Sequence, residues 1–124
     1  VLCLANGMAG NPILRLGSPQ VEAFQRLLDR VCFLLAMKVC RDGEGVTKVV
    51  ELTVKGARTE ADARQVARTV GTSSLVKTAL FGEDANWGRI LAAVGRSGIR
   101  VDPSATGLTF DDIPVVKNGV GLGL

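Results

Sequence analysis

Apolar and polar positions alternate along this chain with two clear periods, and the period predicts the element. Val1 to Ala5 is an uninterrupted apolar run closed by Asn6-Gly7, which reads as a buried strand entering a loop. Ser18 then offers a hydroxyl as N-cap and Pro19 suits the first helical position, where a missing N–H costs nothing. Val21, Phe24, Leu27, Leu28, Val31, Leu34 and Leu35 follow at three-and-four spacing, the stripe of a long helix running to about Arg41 and packed on a core. Its opposite face carries Glu22, Gln25, Arg26, Asp29 and Arg30, charges expected to face solvent.

Asp42-Gly43-Glu44-Gly45 ends that helix, and Thr47 to Lys55 alternates with β-branched residues, so a strand is predicted with Val50, Leu52 and Val54 on one face. Thr59-Glu60-Ala61-Asp62 has the form of a capping box, with Asp in place of the usual Glu, and opens a helix ending at Gly71. Ser73 to Phe81 fits a short helix or a buried strand, with helix preferred. Asp84 caps a further predicted helix from Ala85 to about Arg96, closed by Gly98. Val101-Asp102-Pro103 turns the chain, and Gly107 to Phe110 with Ile113 to Lys117 predict a hairpin around Asp111-Asp112. The expected order is β-α-β-α-α-β-β, an α/β (α+β) layered sheet with packed helices, over 124 residues read as a single domain, 1–124.

Composition narrows the chemistry more than the fold. With 47% hydrophobic and 22% charged residues the chain is globular, and its size allows a core without staples. Lys+Arg 15 against Asp+Glu 12 leaves +3 and a pI near 9.0, spread along the chain without a polybasic run. Aromatics are only 4%, too few for the stacking platforms of single-strand binders, so no nucleic-acid partner is expected. Arg58, Arg64 and Arg68 lie along or beside one helix, where a solvated face competes with an anion site. No apolar stretch reaches the ~20 residues of a membrane span, and no membrane partner is expected.

Histidine is absent, which removes Ser-His-Asp and Cys-His catalysis and His-based zinc sites, and no metal site is predicted. Cys32 and Cys40 sit eight residues apart on one helix, about 12 Å at 1.5 Å per residue, too far for a disulfide. Reduced thiols packed as small hydrophobes are expected. The chain opens without Met inside an apolar run and closes on Gly119 to Leu124, so both ends are expected to continue in a longer polypeptide.

Two stretches could hold chemistry. In Arg41-Asp42-Gly43-Glu44-Gly45-Val46-Thr47-Lys48 a carboxylate stands between two glycines at a helix end. Glu44 there either faces a cavity and pairs with a substrate ammonium or is a solvated turn residue. The stretch is neither a P-loop nor a complete GxGxxG, since the required Lys and third glycine are missing. In Lys77 to Ile90 the only Trp, Trp87, either supports a cleft or anchors a helix, while Asn86 and Arg89 bond to backbone or to a partner segment. Neither stretch places a base beside a nucleophile.

These stretches, Arg-Asp-Gly-Glu-Gly-Val-Thr-Lys at 41–48 and Leu-Val-Lys-Thr-Ala-Leu-Phe-Gly-Glu-Asp-Ala-Asn-Trp-Gly-Arg-Ile at 75–90, closely resemble the ornithine acetyltransferase family, the bifunctional glutamate N-acetyltransferases of arginine biosynthesis. Val-Leu-Cys-Leu-Ala-Asn-Gly at the start and Ala-Ala-Val-Gly-Arg-Ser-Gly at 92–98 extend the resemblance over most of the chain. Ala85 departs from it, because the family usually has Pro at that helix start. The resemblance implies a precursor that cleaves itself before a threonine into α and β chains, of which this chain is the middle of the β chain. The freed Thr takes acetyl from N-acetylornithine and gives it to glutamate, its own terminal amine serving as base. Acetyl-CoA remains open as a further donor, and no bound cofactor is expected. The implied assembly is an oligomer of α and β chains, a cytoplasmic heterotetramer.

In that family the nucleophilic Thr and the oxyanion-hole residues lie upstream of the segment matching Val1, and further substrate-binding residues lie near the C-terminus. No threonine of this chain, including Thr47, Thr53 and Thr78, is therefore assigned to catalysis, and the isolated chain is expected to be inactive. The resemblance places one binding residue here, Glu44, expected to salt-bridge a substrate amino group. The rival reading is a non-catalytic α/β interaction module binding a protein or RNA through its basic helix face and Trp87.

Overall fold

The computed structural model describes residues 2–12 and 14–123. The chain divides into two compact units, Val1–Val49 and Val50–Leu124.

The first unit is built on one long helix, α1 (Pro19–Arg41). Ser18 accepts a hydrogen bond from the Val21 N–H at 3.3 Å, and Pro19 occupies the first helical position as its fixed φ dictates. Glu22 in the first turn and Lys38 and Arg41 in the last complement the helix dipole. The polar face is solvated as expected, tied along the axis by Gln25 donating to Asp29 at 2.7 Å. The apolar stripe differs from expectation: no residue of α1 is buried, and Phe24, Leu27 and Leu34 stand 59%, 65% and 51% exposed.

The second unit holds the core. Helix α2 (Glu60–Gly71) starts at Thr59, whose hydroxyl accepts from the Asp62 N–H at 3.1 Å. Only half of the predicted capping box is evident, since the Asp62 carboxylate faces the Arg58 guanidinium at 3.7 Å. Helix α3 (Ser74–Phe81) settles the ambiguous segment in favour of helix. It ends in a Schellman motif, the Asp84 N–H donating to Ala79 and the Glu83 N–H to Leu80, with Glu83 itself left-handed at φ 58°. Helix α4 (Trp87–Gly95) begins two residues later than predicted, and its cap is Asn86, not Asp84. The Asn86 amide oxygen accepts from the Arg89 N–H at 3.1 Å, while its amide nitrogen donates to the Asp84 carboxylate at 3.0 Å. Gly98, at φ 77°, turns the chain beyond this helix.

Val66 and Val70 of α2, Val76 of α3, and Ile90 and Ala93 of α4 form the buried cluster, with Val54, Leu80, Ile99, Leu108 and Phe110 packed against it. Asp102 caps a short 3-10 helix (Pro103–Ala105), its carboxylate taking both the N–H and the hydroxyl of Ser104 at 2.9 and 2.7 Å. The sheet has three antiparallel strands in sequential order, β1 (Leu108–Phe110), β2 (Ile113–Lys117) and β3 (Val120–Gly121). The predicted hairpin is present, with Phe110 opposite Ile113 across Asp111-Asp112. Strand β3 was not predicted, although Asn118-Gly119 carries its signal: both residues have positive φ, 51° and 76°, as a tight two-residue hairpin turn requires.

Among the described residues the predicted β-α-β-α-α-β-β order is corrected to four α-helices, a short 3-10 helix and a small antiparallel sheet. Leu2 to Ala5 forms no strand, and Val1 lies outside the described residues. Thr47 to Lys55 forms no strand either. Alternation selects which side chains face inward but does not supply a neighbour, and a strand exists only where a second backbone accepts its ladder. The side-chain half of that expectation is partly met, since Val54 packs on the core and the Leu52 side chain lies 3.3 Å from where a Cβ on Gly71 would sit. The mixed helix and sheet content agrees with an α+β class.

Candidate functional site

Glu44 belongs to the first unit, and the elements around it follow from the end of α1. Asp42 closes the helix, its N–H donating to the Lys38 carbonyl at 3.0 Å. The Val46 N–H donates to the Gly43 carbonyl at 3.1 Å, closing a tight turn with Glu44 at its bend. Gly45 sits at φ 71°, a left-handed backbone that a β-carbon would strain, so glycine is favoured at that position. Glu44 is exposed, and its carboxylate makes no hydrogen bond or ion pair among the described residues. A carboxylate free of intramolecular partners on a fixed turn is able to receive an ammonium group without first breaking a protein contact.

The Lys77 to Ile90 stretch lies in the second unit and serves the fold. Arg89 Nη1 donates to the Leu75 carbonyl at 3.1 Å and to the Thr78 hydroxyl at 3.2 Å, fastening α4 to α3. Trp87 packs on β3: a Cβ built on Gly121 would lie 2.5 Å from the Trp87 ring. Of the alternatives open for this stretch, the structure realises helix anchoring for Trp87 and backbone bonding for Arg89. Two of the three arginines beside α2 are engaged locally, Arg64 with Glu60 at 2.6 Å and Arg58 with Asp62 at 3.7 Å, on an exposed face.

The second unit also carries a groove of about 760 Å³ between α2, α4 and the segments 52–58 and 98–108. Its lining joins aliphatic side chains, among them Leu52, Val54, Val66 and Ile90, to the charged residues Lys55, Arg58, Asp62 and Arg100. No group of three or more acidic, Cys or His side chains is arranged to hold a metal among the described residues. Cys3, Cys32 and Cys40 are unpaired in disulfides. The Cys32 thiol is held above its ordinary pKa by desolvation, then by Cys3 and by the Asp29 charge, which is opposite to what an activated thiolate needs. No helix is long and apolar enough to cross a membrane among the described residues.

Comparison with known proteins gives a consistent result. The family model described as "ArgJ family" matches residues 1–123. The chain is 54% identical over 122 residues to the arginine biosynthesis bifunctional protein ArgJ of Geobacter sulfurreducens, covering 98% of this chain and 31% of that protein. The protein of the same name from Staphylococcus aureus is 44% identical over 122 residues, 98% of this chain and 30% of that protein. A crystal structure of arginine biosynthesis bifunctional protein argJ from Bacillus halodurans superposes with a TM-score of 0.87 at 39% identity, covering 97% of this chain and 56% of that one. The chain thus spans about a third of the length of the curated relatives it matches.

Proposed function

The chain belongs to the ArgJ family, and on that premise we propose that it is the part of a glutamate N-acetyltransferase of arginine biosynthesis that supplies a substrate-binding carboxylate, Glu44. The curated relatives from Geobacter sulfurreducens and Staphylococcus aureus are named for arginine biosynthesis, which does not favour the rival reading of a non-catalytic module for protein or RNA. The observation that carries the proposal is the glycine-framed turn at 43–46, with Glu44 exposed at its bend and its carboxylate without a hydrogen-bond or ion-pair partner among the described residues.

In the complete protein the precursor cleaves itself before a threonine that lies outside this chain, and the α and β chains stay associated, in the cytoplasm, as a heterotetramer. The Thr hydroxyl, losing its proton to the new terminal amine, attacks the acetyl carbon of N-acetylornithine. The C–N bond breaks, ornithine leaves as the amine with that proton, and the acetyl group is held as an ester on Thr. The neutral glutamate amine then attacks the ester carbon, the C–O bond to Thr breaks, and the proton lost by that amine passes through the terminal amine to the Thr oxygen, restoring the hydroxyl. Acetyl-CoA would enter the same scheme as an alternative donor through its thioester. Glu44 takes no part in these bond changes. Its negative charge pairs with a substrate ammonium and fixes the amino acid relative to the nucleophile, a contribution of about 1.5–3 kcal/mol for a charged hydrogen bond.

The test is Glu44→Gln in the complete enzyme, which keeps the shape and removes the charge. The expected result is a KM for N-acetylornithine raised about tenfold or more, since 1.4 kcal/mol corresponds to about a factor of ten. An unchanged KM would exclude Glu44 from substrate binding.

A further inference from the structure

The two glycines flanking Glu44 do different physical work. Gly45 is favoured by its backbone, at φ 71°. Gly43 is not in the left-handed region and is required by space: a Cβ built there would fall 2.8 Å from Val46 Cγ2, with the Cys40 carbonyl oxygen 3.8 Å away. Contacts below 3.0 Å do not persist, so one partner must move. Val46 has little freedom to do so, because a β-branched side chain is stiff at χ1 and its N–H is held by the Gly43 carbonyl at 3.1 Å. That hydrogen bond closes the turn whose bend is Glu44. The Glu44 carboxylate has no partner among the described residues, so the backbone of this turn sets the point and direction from which its side chain reaches.

We propose that Gly43 is a positioning residue for substrate binding, its missing β-carbon allowing Val46 to close the turn that aims the Glu44 carboxylate. This rests on the reading of Glu44 as the partner of a substrate ammonium. A β-carbon at Gly43 displaces Val46, opens the turn and swings Glu44 away, weakening substrate capture while leaving the acetyl-transferring groups in place.

The experiment is a double-mutant cycle in the complete enzyme, with KM and kcat for N-acetylornithine measured for G43A, V46A and G43A/V46A, alongside E44Q. The expected result is a KM raised about tenfold by G43A with kcat within about twofold. That KM penalty should largely disappear when the same substitution is made in the V46A background, because the clashing Cγ2 is gone. A penalty of equal size in both backgrounds, or a G43A loss confined to kcat, overturns the proposal. If E44Q raises KM and G43A does not, this inference fails alone. If E44Q leaves KM unchanged, the functional reading fails and takes this one with it.

Discussion

Asp102 shows how one short side chain organises a turn. Its carboxylate accepts the Ser104 hydroxyl and N–H, and its backbone carbonyl accepts from Thr106 Oγ1 at 2.7 Å. The Ser104 hydroxyl first, and then the Ser104 backbone N–H, hold the carboxyl below its ordinary pKa of 3.8, with desolvation opposing them and the Ala105 N–H adding the smallest pull. A folded-state pKa below the unfolded one stabilises the fold above 3.8, and that contribution is lost as pH falls through the folded value. The thermal midpoint should therefore drop as acid is added below pH 3.8, and Asp102→Asn should flatten that part of the profile. An identical acid limb in the variant would remove the carboxylate from the account. Glu44, by contrast, makes no hydrogen bond or ion pair among the described residues, so under the proposed role E44Q should cost substrate affinity with little change in stability.

Elements are held together by contacts that demand particular residue sizes. Trp87 opens α4 and lies against Gly121 of β3, so Gly121→Ala forces the ring or the strand to move. Overpacking of this kind costs about 1–3 kcal/mol, and since Trp87 is the chain's only Trp, its emission should shift with the loss in melting temperature. A variant as stable as the parent with unchanged emission would contradict the contact. Helices proved legible in the sequence because caps and stripes are local: Ser18-Pro19 and Thr59 mark their starts by chemistry within one turn. Asn86 was missed as the α4 cap because Asp84 is an equally good candidate two residues earlier, and only the fold decides between them. The strands at the opening run and at 47–55 failed for a different reason, since pairing depends on a partner that alternation does not reveal. Glu44 was singled out by its glycines, yet the steric role of Gly43 depends on Val46 and was not visible from spacing.

Many large apolar side chains of the first unit stand exposed. Besides the α1 stripe, Leu2, Leu4 and Leu16 are 80%, 87% and 96% exposed, far from the pattern of a monomer that buries its large apolar side chains. The isolated 124-residue chain should self-associate and bind hydrophobic dyes, and replacing Phe24 and Leu27 by Ser should reduce both in sedimentation and dye-binding measurements. Undiminished association in that double variant would show that α1 is not the adhesive face. The central claim, however, concerns chemistry, and intact mass tests it most directly. The complete protein would be weighed before and after brief incubation with N-acetylornithine. Self-cleavage at a threonine and acetyl transfer through its ester predict two chains, one of them gaining an acetyl group, with the Glu44 segment in the acylated chain. A single uncleaved chain that gains no mass would contradict the account.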